Sequence, residues 1–209
     1  MESAHPEFPP RLSESSDRPA TCGVDVLAAI HDRRAVRSYT GVPVGAAQIH
    51  ALLDSAVRAP SAVNAQPWAF VVVQDPLLLA RISARSKAMA LASMRPGTPQ
   101  WARREMLLDP DFDVLYGAGT LIVIVSSPGE WHVNEDCCLA GQNLMLAAHG
   151  MGLGTCPIGF ARAALEEPDL RAELSIPADH AVVLPIIVGH PRELPPTPPR
   201  RAPRVLAWK

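Results

Sequence analysis

Three short, unbroken apolar runs, WAFVVV (68–73), LIVIV (121–125) and VVLPIIV (182–188), limit what this chain can become. Each is far shorter than the ~20 residues a membrane-crossing helix needs. None alternates apolar with polar, so none suits a sheet with one wet face. Strands that are apolar at every position must be covered on both sides. The stretches between them supply that cover. Residues 45–58 place Ile49, Leu52, Leu53, Ala56 and Val57 at the i, i+3, i+4, i+7, i+8 spacing of one buried helical stripe. Further helices are expected from a cap at Asp25, over 77–91, over 133–149 and over 162–174. The stretch 133–149 is apolar nearly all round except Gln142 and Asn143, as befits a central buried helix. Helices outnumber strands, and the expected fold is α+β in three layers. Pro185, inside the third run, predicts a sheet edge or a bulge.

Both ends of the chain differ from its middle. Pro6, Pro9, Pro10 and Pro19 mark residues 1–24 as an N-terminal arm. Six more prolines from Pro191 to Pro203 mark residues 191–209 as an extended C-terminal arm. Residues 25–190 between them show no linker and no repeat. Within that domain, residues 92–118 carry Pro96, Gly97, Pro99 and Pro110 and predict a loop or lid with one helical turn near 101–107.

Composition removes several classes of function. The chain is 48% hydrophobic and 19% charged with a net charge of -2, which excludes a disordered chain and a basic nucleic-acid binder. The start MESAHPEF lacks the basic residues and apolar core of a secretory signal, so a cytoplasmic setting is expected, with neither nucleic acid nor membrane as partner. Cys22, Cys137, Cys138 and Cys156 form no CxxC pair. His132 and Asp136 stand one helical turn apart, but no third ligand accompanies them, and no metal site is assigned. No Ser-His-Asp or Cys-His set can be assembled.

Four segments carry chemistry. In Arg33-Arg34-Ala35-Val36-Arg37, an extended backbone puts Arg33 and Arg37 on one side of the small Ala35, an arrangement suited to phosphate. Read alone, it is equally a solvated basic stretch after a helix. Between Pro60 and Pro67, small residues carry polar groups only on Ser61, Asn64 and Gln66, and the prolines push Ala59 and Gln66 toward extended backbone. Such a loop can approach a flat heteroaromatic ring, though it also reads as an ordinary connection. The glycines of GMGLG follow a helix rather than a strand and so make no dinucleotide fingerprint; Gly150 and Gly152 end that helix. In Pro157-Ile158-Gly159, a residue without side chain offers its N–H at close range. The fourth segment, Pro195 to Arg201, delivers two arginines far from the core, with Leu206 and Trp208 as anchors beyond it.

RRAVRSY, a helix, then PSAVNAQPW leading into WAFVVV resembles the FMN-dependent nitroreductase family. FDVLYGAGTLIVI, CLAGQNLMLAAHGMGLGTC, PIGF, VGHP and PPRR extend the resemblance over residues 25–204. It implies a three-layer α-β-α fold with a mixed, mainly antiparallel sheet around a buried central helix, and FMN at a homodimer interface. Arg33, Arg34, Ala35 and Arg37 then correspond to the phosphate and ribityl side, with Ala35 where a serine is common. Pro60, Ser61, Ala62 and Asn64 correspond to the segment that a partner subunit lays against the isoalloxazine ring, with Ala62 again replacing a serine. Pro157, Ile158 and Gly159 lie beside flavin N5, and Arg200 and Arg201 near the phosphate. The implied activity is hydride transfer from NADH or NADPH, through FMN, to small electrophilic acceptors such as nitroaromatics or quinones, with no catalytic side chain required. Relatives that dehalogenate reductively, fragment the flavin or desaturate rings remain alternatives, as does an FMN-binding redox sensor without turnover.

Overall fold

A computed structural model describes residues 25–128 and 132–209; the arm expected over residues 1–24 lies outside the described residues. The elements are α1 (Val26–Asp32), α2 (Ala46–Ala56), β1 (Trp68–Val73), α3 (Pro76–Ser93), α4 (Arg104–Leu108), β2 (Thr120–Ser126), α5 (Val133–Gly150), β3 (Gly154–Pro157), α6 (Ala161–Leu165), α7 (Pro168–Glu173) and β4 (Ala181–Gly189). The strands form one antiparallel sheet in the order β1-β2-β4-β3. The parallel element of a mixed sheet is reduced to an isolated bridge between Ala35 and Thr155. Among the described residues, no helix is long and apolar enough to cross a membrane.

Side-chain alternation divides the core in two. Leu121, Val123 and Val125 of β2 join one cluster with Ile82 of α3, Leu107 of α4, and Ala164 and Leu165 of α6. Ile122 and Ile124 point the other way, into a cluster with Leu52 of α2 and Cys137, Ala140 and Leu144 of α5. That is the double cover the apolar strands require. α5 packs against all four strands, but its outer side is open: Leu139 is 45% exposed and Cys138 is exposed as well. It is a central helix whose cover is incomplete within one chain.

Several local expectations need correction. Asp25 precedes α1, but its side chain caps nothing; Asp75, by contrast, caps α3 by accepting from Leu78 N. The single helix expected over 162–174 is two, because Pro168 cannot continue α6 and instead opens α7. β3 was not expected at all. Pro185 lies on an inner strand rather than an edge, next to an irregularity where the β2–β4 register shifts between Ile124 and Val125. Val183 and Leu184, consecutive in sequence, accordingly both serve the α2–α5 side of the sheet.

The segment 33–39 lies against the far end of the sheet. Gly154 of β3 and Gly189 of β4 are register partners, and together they leave a patch without side chains. Val36 and Tyr39, both buried, fill it. A Cβ on Gly154 would stand 2.8 Å from Val36 Cβ, and one on Gly189 would stand 2.9 Å from the Tyr39 ring. Val36 N donates to Thr155 O at 3.0 Å, and the Tyr39 hydroxyl donates to Val36 O at 2.9 Å. Gly154→Ala forces a β-branched side chain to move and should cost about 1–3 kcal/mol. A lowered melting temperature, with faster amide exchange at Val36, checks this; wild-type stability would contradict it.

Candidate functional site

The seam between residues 33–39 and β3 determines which polar groups meet. The guanidinium groups of Arg33 and Arg37 both act on the Cys156 thiol of β3. Burial pushes this thiol up and outweighs the two guanidinium groups, which pull it down. Arg37 also stands over the Tyr116 ring at 5.9 Å. Tyr116 is half-buried and adopts φ +55°, a left-handed conformation that costs a bulky residue energy. Burial is the chief cause raising its phenol, and Arg37 opposes it. Neither Arg33 nor Arg37 forms an ion pair among the described residues. Both charges are available to an anion.

Arg34 has a different role. Its guanidinium donates to Asp32 O and to the Thr197 hydroxyl, tying the C-terminal arm to this seam. Its Nε is buried without a partner.

β3 runs on into Pro157, Ile158 and Gly159. Ile158 is buried and its N–H donates to Pro185 O at 2.8 Å, which fixes the chain just before Gly159. Gly159 N–H donates to no group among the described residues. A Cβ built there meets nothing within 4 Å. The chain's own packing therefore gives no reason for a glycine; a ligand lying against the backbone would. Arg33, Arg37 and Gly159 thus fit a ligand with an anionic end and a flat end.

The loop Pro60–Pro67 does not join them within one chain. Asp136, in the first turn of α5 and buried, accepts Ala62 N–H with both carboxylate oxygens, at 3.2 and 3.3 Å. Ser61 Oγ accepts Gln66 N–H at 3.0 Å and closes the loop. Between these anchors Val63, Asn64 and Gln66 all have positive φ, so Gln66 is left-handed rather than extended as its proline neighbour suggested. Val63, β-branched and at φ 47°, is 99% exposed at the tip. The loop thus presents a strained apolar tip to solvent. Arg200 and Arg201 are likewise exposed and unpaired among the described residues.

Sequence reasoning missed the anchoring role of Asp136, weighing it only as a metal ligand with His132. The signal was an acid in the first turn of an otherwise apolar helix. It also missed Tyr116, for which the sequence offers no signal, because its relation to Arg37 exists only in three dimensions. Among the described residues no group of three metal-ligating side chains occurs.

Residues 30–190 match the sequence profile of the Nitroreductase family. The chain is similar to the "Putative NADH dehydrogenase/NAD(P)H nitroreductase" of Methanothermobacter thermautotrophicus, 31% identical over 175 residues, covering 83% of this chain and 81% of that one. It is similar to the FMN reductase [NAD(P)H] of Bacillus subtilis, 27% identical over 188 residues, covering 84% and 70%. Among solved structures, a nitroreductase with bound FMN from Bacteroides fragilis superposes with a TM-score of 0.76 at 26% identity, covering 89% of this chain and all of that one.

Replacing Asp136 by alanine strands the Ala62 N–H and should destabilise the protein by about 1–3 kcal/mol. Gly159→Ala meets no atom of the chain and should leave the melting temperature of the ligand-free protein where it is. Thermal unfolding of both variants side by side tests the contrast, which fails if Gly159→Ala is the more damaging.

Proposed function

The chain belongs to the nitroreductase family, and we propose that it works as a homodimer, passing reducing equivalents from NADH or NADPH by way of FMN to small flat acceptors such as nitroaromatics or quinones. Flavin-dependent NAD(P)H oxidoreduction is the family's chemistry and this chain's. The acceptor class, the assembly and the residue roles are our reading. One observation supports it: Arg33 and Arg37, neither in an ion pair among the described residues, act on Cys156 of β3, and Gly159, with open space on its Cβ side, follows that strand by two residues.

When bound, FMN supplies the hydride chemistry. The protein's part is to hold and polarise. Arg33 would take the phosphate end with the Ala35 backbone beside it, while Arg34 holds the C-terminal arm nearby through Thr197; charge-assisted bonds of the Arg33 kind are worth about 1.5–3 kcal/mol each. Arg37, supported by the Tyr116 ring, places positive charge where negative charge develops on reduction. Ile158, pinned through Pro185, holds Gly159 N–H in place as a fixed donor to the ring edge. Pro60, Ser61, Ala62 and Asn64 cover one ring face of the partner subunit's site from the loop that Asp136 anchors. Arg200 and Arg201, on the arm of residues 191–209, would lie near the phosphate.

The exposed Val26, Leu27, Ile30, Leu139 and Val63 support the dimer, since a second copy would remove them from water. A cytoplasmic setting accords with the use of NAD(P)H. With one ring face covered, nucleotide and acceptor take the same open face in turn.

The purified protein should be yellow, release FMN on denaturation and sediment as a dimer. Steady-state rates should give parallel double-reciprocal lines. Arg37→Ala should weaken FMN binding tenfold or more by fluorescence titration. A monomer with full FMN content would sink the assembly, and intersecting lines would sink the shared face.

A further inference from the structure

A cleft of about 440 Å³ opens beside Gly159, between the end of α3 and the start of α6. Its walls divide by chemistry. Met89, Met94 and Phe160 present polarisable apolar surface, and Thr98 and Gln100 stand with Arg95 among the polar lining residues. Arg103 lies over the Phe160 ring at 6.0 Å, and Arg104 over Trp101 at 5.1 Å. None of these three arginines has an ion pair among the described residues. Within α3, by contrast, Arg81 pairs with Glu173, and Arg85 pairs with Glu167 and Asp169. From Ala92 to Arg104 the chain carries three arginines and no carboxylate. In a protein of net charge -2, these arginines concentrate positive charge beside the apolar wall, with Glu105 the first carboxylate after them.

We propose that this cleft seats a substrate with a flat ring and a nearby negative charge, the ring on Met89, Met94 and Phe160 and the charge on Arg95 and Arg103. The assignment rests on the reading of Gly159 as the flavin's neighbour, and it narrows that reading from flat acceptors to anionic flat substrates. Guanidinium suits carboxylate, sulfonate or phosphate through paired N–H donors. An amino-acid zwitterion fits less well, because no residue lining the cleft is a carboxylate that could face an ammonium group. The anion has two possible sources, a charged acceptor or the 2′-phosphate that distinguishes NADPH from NADH.

Equilibrium binding to the oxidised holoprotein separates these sources without turnover. Calorimetric titration compares 4-nitrobenzoate with 4-nitrobenzamide, and NADP⁺ with NAD⁺, in wild type and in an Arg95→Gln/Arg103→Gln variant that retains its flavin. At least one charged ligand should bind wild type tenfold or more tightly than its neutral counterpart. That preference should fall to threefold or less in the variant. It should also shrink in wild type as salt shortens the Debye length from about 30 Å at 0.01 M to about 8 Å at 0.15 M. The pair that shows the effect identifies the source of the charge. Equal affinities within both pairs, or a preference that the variant keeps, overturn the inference and leave flavin binding standing. A purified protein without FMN overturns instead the reading beneath it, and its absorbance reveals this before any titration begins.

Discussion

The contact between the Val36–Tyr39 segment and the paired glycines of β3 and β4 fixes everything downstream of it. Because Gly154 and Gly189 face each other across the ladder, the sheet has a bare patch where another chain segment can lie. Val36 and Tyr39 bury themselves there in the same core cluster as Cys156, and Arg33 and Arg37 of the same segment act on that thiol electrostatically. Gly159 follows two residues after the same strand ends. Apolar packing thus sets the segment beside β3, and the hydrogen bonds of Val36 N–H to Thr155 O and of Ile158 N–H to Pro185 O hold the two parts of the site in place.

Periodicity made most of the fold legible. β1, β2, β4, α2, α3 and α5 lie within a few residues of where their apolar patterns place them, because each buries a continuous face. β3 escaped because Gly154-Thr155-Cys156-Pro157 is four residues long, bounded by glycine and proline, with a full strand along one side and a single bridge to Ala35 along the other. Its existence depends on β4, some thirty residues away in sequence, and no local pattern records that. Gln66 illustrates a local rule overruled. The proline after it favours extended backbone, but the bond from its N–H to Ser61 Oγ closes a turn that needs positive φ. The residue types of the site were legible through family resemblance. The assignment of the 60–67 loop to a partner subunit comes from the same resemblance, and no residue pattern in the loop itself records it.

The shape of that loop has an energetic logic. The loop 60–67 carries three non-glycine residues at positive φ, each costing on the order of 1 kcal/mol or more, and an apolar tip in water. Asp136 and Ser61 hold this conformation in place before any partner arrives. Ordering in advance lowers the entropy lost when a second surface closes over the tip. A loop that relaxed in the free chain would have to be reordered at every association, so the strain is a form of pre-organisation.

The thiols show what the site avoids. Cys137, buried against β2, has its thiol pushed up to about 12, chiefly by burial, and it stays protonated at neutral pH. Cys156 stands beside two arginines, the setting that ordinarily yields a reactive thiolate. Burial nevertheless prevails, and its thiol is raised rather than lowered. The same guanidinium charge therefore remains available for an external anion, with no thiolate within the protein to neutralise it. A more exposed Cys156 would lose the burial that raises its thiol, and the two guanidinium groups would then favour its thiolate. Keeping that thiol dry between β4 and the 33–39 segment is as much part of the electrostatic design as the arginines themselves.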